Sequence, residues 1–111
     1  MITENNNIKI STLQKIYNKI QERSINPIEN SYTNYLLKEG IDKICKKVGE
    51  EATEVVIAAK NGNKEDLIGE ISDLVYHTLV LMFDGNVSLN DVEEKLIERH
   101  KIEKNKKFSF Q

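Results

Sequence analysis

The sequence predicts an all-α protein, a helical bundle of four to five helices that assembles as a homodimer. Three observations carry the fold class. One proline and five glycines in 111 residues leave few of the turn signals that many short strands require. Apolar residues recur every three to four positions through the long segments, which is the helical period. Each of those segments is also bracketed by helix start and stop residues, with Ser11, Ser31, Asn63 and Ser88 at beginnings and Asn26-Pro27, Gly40, Gly62 and Gly85 at ends.

Residues 1–9 are polar and asparagine-rich, and a frayed end is expected there. Ser11 followed by Gln14 has the form of a capping box, and Leu13, Ile16, Tyr17 and Ile20 then keep helical spacing to about Arg23. Asn26-Pro27 breaks that helix. Ser31 caps a short helix through Tyr32, Tyr35, Leu36 and Leu37, stopped at Gly40. A long helix follows from about Ile41 to Lys60, with Ile41, Ile44, Val48, Ala52, Val55 and Ala59 on one side. Asn63 with Asp66 starts a second long helix to about Asp84, whose apolar side is Leu67, Ile71, Leu74, Val75 and Met82. Ser88 and Asp91 open a last helix carrying Val92, Leu96 and Ile97. Beyond His100 the tail KIEKNKKFSFQ is basic, and fraying is expected over 104–111. No repeat and no second domain is visible.

One stretch bears on assembly. Leu79, Val80, Leu81, Met82 and Phe83 are consecutive and apolar, so that turn is hydrophobic all round, and such a turn is buried all round. A few short helices offer little to enclose it. A two-fold partner subunit is therefore expected.

Eighteen acids against sixteen bases give a net charge of -2, which argues against a nucleic-acid binder. No apolar run reaches transmembrane length and the N-terminus lacks a signal peptide's hydrophobic region, so no membrane association is expected. Cys45 is the single cysteine and sits on an apolar face, where it reads as a small core residue. A cytoplasmic enzyme or binding module fits these features.

The chemistry concentrates in five acids: Glu50, Glu51 and Glu54 on the first long helix, Glu70 and Asp73 on the second. Taking Lys47 as zero, Glu51 and Glu54 fall within about 40° of it around the axis, and Glu70, Asp73 and His77 form a similar narrow stripe. If the apolar sides pack together, the carboxylates meet in one cleft. Like charges so placed repel, and a hard divalent cation, which prefers carboxylate oxygens, would neutralise them. Spacing alone leaves a solvated face with pairs such as Lys47 to Glu51 equally open.

Glu50-Glu51-Ala52-Thr53-Glu54, followed by Glu70-Ile71-Ser72-Asp73, resembles the E-E-x-x-E … E-x-x-D signature of the all-α nucleoside triphosphate pyrophosphatases. The words Ser31-Tyr32-Thr33, KVGEE from Lys47, SDLVYH from Ser72 and Glu98-Arg99-His100 narrow the resemblance to the phosphoribosyl-ATP pyrophosphatase family, over roughly Leu13 to His100. The resemblance implies a helical dimer that uses Mg²⁺ to split phosphoribosyl-ATP into phosphoribosyl-AMP and pyrophosphate, the second step of histidine biosynthesis. It implies Glu51, Glu54, Glu70 and Asp73 as metal ligands, with Glu50, which points further round, on a second ion or a water. Ile71 and Cys45 depart from the family pattern, on apolar faces where packing changes before chemistry. The cyclohydrolase fused to this activity in many organisms is not expected within 111 residues.

The basic and polar candidates each have two readings. Lys47 reaches a phosphate oxygen or pairs with Glu51. His77 contacts substrate, acts as a base, or is a structural hydrogen-bonder. Arg99 and His100 touch a phosphate or stabilise a helix C-terminus. Ser31 contacts substrate or only caps its helix. Two rival functions stand beside the main one: a housekeeping enzyme of the same superfamily acting on dUTP or other triphosphates, and a non-catalytic helical metal-binding or interaction module.

Overall fold

The computed structural model describes residues 10–103, which form five helices and no strand: α1 Thr12–Ile25, α2 Tyr32–Glu39, α3 Ile41–Asn61, α4 Lys64–Asp84 and α5 Leu89–His100. The fraying expected at 1–9 and 104–111 concerns residues outside this range. Each start has a local cause. The side chains of Ser11, Ser31, Asn63 and Ser88 accept hydrogen bonds from the backbone N–H three residues on, at Gln14, Asn34, Asp66 and Asp91. These bonds satisfy donors that a helix leaves orphaned. Only the last is a complete capping box, because Asp91 reaches back to the Ser88 N–H at 2.9 Å. The box expected at Ser11 forms by half: the Gln14 amide instead donates to Asn18 one turn on.

The ends follow the same logic. Gly40 (φ 91°) closes α2 and opens α3 in one residue, and Gly62 (φ 74°) ends α3 in the left-handed region. Two residues, Gly62 and Asn63, then separate α3 from α4, so the pair is an antiparallel hairpin. This hairpin is the main packing contact of the molecule, with α1 and α2 laid against it. Asn34 joins the pieces. Its amide donates to the Arg23 carbonyl at the end of α1, and its carbonyl accepts from the Ile28 N–H.

Ile20, Leu36, Ile44, Leu79 and Val80 form the fully buried core, ringed by half-buried Ile16, Tyr17, Leu37, Val75, Tyr76, Leu81, Met82, Phe83 and Leu89. One expectation is met in part and one is corrected. The apolar turn from Leu79 to Phe83 is enclosed in part: Leu79 and Val80 join Ile20 and Leu36 in the buried core, while Leu81, Met82 and Phe83 stay half-buried. Cys45 is exposed, not a core residue, since the buried side of that turn is taken by Ile44. Large apolar side chains stay exposed elsewhere, notably Val56 and Ile57 before the hairpin bend and Ile68 and Ile71 after it. Helix α5 packs sparsely on the rest, attached at its start by Leu89 in the core and by the Tyr17 hydroxyl, which donates to the Val87 carbonyl at 2.8 Å.

Candidate metal centre

The hairpin brings the two acidic stripes together. Glu51 and Glu54 share one face of α3 and Glu70 and Asp73 one face of α4, because residues three apart lie side by side on a helix. One carboxylate oxygen from each of Glu51, Glu70 and Asp73 lies within 4.8 Å of the others. The three differ in depth: Glu51 is buried, Glu70 half-buried and Asp73 exposed, so the group runs from a floor to solvent. Two oxygens, Oε1 of Glu51 and Oε1 of Glu70, are buried with no hydrogen-bond partner. Orphaned buried acceptors of this kind are rare, and a cation is one explanation of them.

Glu54, exposed on α3, stands beside this group of three. Its carboxyl, within hydrogen-bonding range, is the largest cause that raises the Glu70 pKa above the ordinary 4.5; desolvation follows, then the charges of Glu54, Asp73 and Glu51. A carboxyl whose pKa is raised by three neighbouring acids is held too close to them for water alone to separate the charges. The donor set is all carboxylate oxygen, which suits a hard divalent cation and not a thiophilic one.

Lys47 borders the cluster. Its ammonium is 3.3 Å from Glu50 Oε1 and 3.6 Å from Glu51 Oε2, and its pKa is raised, first by the hydrogen bond to Glu50, with burial opposing. Glu50 also meets Lys46 at 4.0 Å. Glu50 is therefore engaged with lysines, beside the converging oxygens and not among them.

His77, one turn beyond Asp73, is buried. Its Nδ1 is 2.8 Å from the Asp73 carbonyl, which only accepts, so Nδ1 carries the proton. In the neutral ring Nε2 then accepts from the Tyr32 hydroxyl at 2.8 Å. Both nitrogens are thus occupied within the fold, which matches the structural reading of this histidine. Next to it the hydroxyls of Thr33 and Tyr76 are hydrogen-bonded to each other. The Tyr32 hydroxyl has its pKa raised first by burial, with the charge of Lys47 lowering it and those of Tyr76 and Glu51 raising it. Periodicity gave no warning of this contact, because Tyr32 and His77 are 45 positions apart. Their presence in the words Ser31-Tyr32-Thr33 and SDLVYH was the only trace.

The remaining candidates show no contact with the acids among the described residues. Ser31 uses its side chain as the α2 cap. Arg99 and His100 are exposed in the last turn of α5, and among the described residues neither forms an ion pair or hydrogen bond with the acidic cluster.

Comparison with known proteins bears on the same residues. The family model for phosphoribosyl-ATP pyrophosphohydrolase matches residues 13–100. The chain is 59% identical over 99 residues to the phosphoribosyl-ATP pyrophosphatase of Clostridium acetobutylicum, spanning 89% of this chain and 90% of that one. It is 54% identical over 98 residues to the enzyme of the same name from Clostridium novyi, spanning 88% and 89%. A third relative, the histidine biosynthesis bifunctional protein HisIE of Caldanaerobacter subterraneus, is 56% identical over 92 residues; the match covers 83% of this chain and 45% of that longer protein.

Proposed function

The chain belongs to the phosphoribosyl-ATP pyrophosphohydrolase family, and from that membership we infer that it splits phosphoribosyl-ATP into phosphoribosyl-AMP and pyrophosphate, a step of histidine biosynthesis. We place the reaction at the four-carboxylate cluster, with Glu51, Glu54, Glu70 and Asp73 holding Mg²⁺. The observation that carries this reading is the pair of buried, partnerless oxygens on Glu51 and Glu70, which fits a group donated to a cation. A triphosphate near neutral pH bears about four negative charges, which an acidic cleft repels unless a cation lies between. The chemistry that Mg²⁺ supplies when bound is charge neutralisation and a more acidic attacking water.

The chain's own residues set the rest. The rigid hairpin holds the four acids so that no helix has to move to assemble the set. Lys47, anchored by Glu50 and Glu51, presents a cation beside the cluster where a phosphate oxygen can take over one of its contacts. His77 ties Tyr32 to the Asp73 carbonyl. Water attacks a phosphorus, one anhydride P–O bond breaks, and pyrophosphate leaves.

We also place this activity in the cytoplasm, a reading supported by the lone cysteine and by described helices of which none is long and apolar enough to cross a membrane. A homodimer is proposed as well, on new grounds. The exposed Val56, Ile57, Ile68 and Ile71 crowd the closed end of the hairpin, and the radius of gyration of 16.8 Å exceeds the roughly 13 Å of a compact chain this long. The function is tested by pyrophosphate release from phosphoribosyl-ATP, ATP and dUTP, each with Mg²⁺ or with a chelator. Release from phosphoribosyl-ATP far ahead of the other two, and abolished by chelation, is expected. Equal or faster release from dUTP would move the protein to the housekeeping branch, and release untouched by chelation would remove the metal.

A further inference from the structure

Beyond the acids, an aromatic strip and an unpaired cation continue the same face. The rings of Tyr76, Tyr32 and Tyr35 follow one another at centroid spacings of 6.2 and 6.1 Å with interplanar angles of 30° and 25°. Tyr76 is half-buried, while Tyr32 and Tyr35 are 45% and 46% exposed. The strip is stiff, because His77 fixes the Tyr32 hydroxyl and Thr33 fixes that of Tyr76. Lys43 lies over the outer ring, its ammonium 5.8 Å from the Tyr35 centroid, and it makes no ion pair among the described residues. On α3 it precedes Lys47 by one turn and Glu51 by two, which is a rise of about 12 Å from Lys43 to Glu51. Along α3 the surface thus passes from a free cation, beside the tyrosine rings of α2 and α4, to the acidic floor.

Phosphoribosyl-ATP has a matching polarity. It carries a triphosphate at one end, a single phosphate on the phosphoribosyl group at the other, and a purine between. We propose that Tyr32, Tyr35 and Lys43 form the subsite that selects the phosphoribosyl-adenine end, with the purine on the tyrosine rings and the phosphoribosyl phosphate on the Lys43 ammonium. The proposal rests on placing the triphosphate at the acidic cluster. Aromatic faces bind bases by stacking, and an ammonium with no acid partner gains a charge-assisted bond without first losing one. A plain nucleoside triphosphate lacks the second phosphate, so Lys43 separates the two substrates.

Lys43→Met keeps the stem and removes the charge; Tyr35→Leu keeps bulk and removes the ring; Tyr35→Phe restores the ring. The measurements are KM and kcat for phosphoribosyl-ATP, the inhibition constant of inorganic pyrophosphate with Mg²⁺, and the mass in solution. The first two variants should each raise KM about tenfold, with kcat, pyrophosphate inhibition and mass as in wild type, and Tyr35→Phe should behave as wild type. An unchanged KM in either of the first two overturns the subsite. So does pyrophosphate inhibition that weakens by the same factor, which would mean a general phosphate field, or a fall in mass, which would mean that the strip covers a second copy. Pyrophosphate inhibition of wild type tests the acidic cluster separately.

Discussion

Replacing Glu54 with Gln removes one charge from the cluster and keeps the side chain's shape. Without metal the four acids repel one another, so Glu54→Gln should melt at the same temperature as wild type or higher, as active-site charges often cost stability. Added Mg²⁺ should raise the wild-type melting temperature more than the variant's, since a ligand stabilises the state that binds it. Activity should fall by orders of magnitude. A destabilised, active variant indifferent to Mg²⁺ would instead make Glu54 a surface residue. Glu70 allows a pH test. Its folded pKa lies above the ordinary 4.5, so the folded state binds this proton more readily than the unfolded state. Stability therefore declines as pH rises from 4.5 through the raised value, and the penalty is complete above it. Metal-free Glu70→Gln should match wild type in thermal melts below that window and exceed it increasingly through it. A gap constant with pH would contradict the sign.

At the level of the elements, the helix starts carry measurable weight. Ser88→Ala breaks the one complete capping box and should cost about 1 kcal/mol in denaturant unfolding. Leu36→Ala empties a fully buried position on α2, in one core with Ile20 of α1, Ile44 of α3 and Leu79 and Val80 of α4, and should cost about 2–5 kcal/mol. If both cost the same, the core is looser than its burial implies. These elements were legible in the sequence, because caps, stops and apolar period are local signals: Ser31, Gly40 and Asn63 stand where the helices begin and end. The acidic stripes were legible for the same reason, since Glu51/Glu54 and Glu70/Asp73 are defined within single helices and the short bend forces them together. What escaped was long-range. No period relates Tyr32 to His77, nor reveals that Ile20 and Leu36 would join Leu79 and Val80 in one core. The position of Cys45 was misread because helical period assigns a broad apolar side, whereas packing takes only the strip centred on Ile44.

For the whole molecule, the exposed hairpin end makes assembly the property to measure. Light scattering should report roughly twice the 12.8 kDa chain mass, joined by an isologous contact, and Ile68→Lys should shift it toward the monomer. A wild-type monomer at micromolar concentration, fully active, would defeat this. Leu81→Lys is a different experiment: Leu81 is half-buried against the core of its own chain, so that change should cost folding as well as assembly. The sparse seating of α5 has a consequence of its own. Its start is pinned, at Leu89 and through Tyr17 to Val87, while Val92 and Leu96 farther along are exposed. A helix held at one end opens without the rest of the protein unfolding. In deuterated water the amides of residues 95–100 should lose their hydrogens by this local opening long before those in the middle of α3 and α4, which wait for the whole fold to come apart.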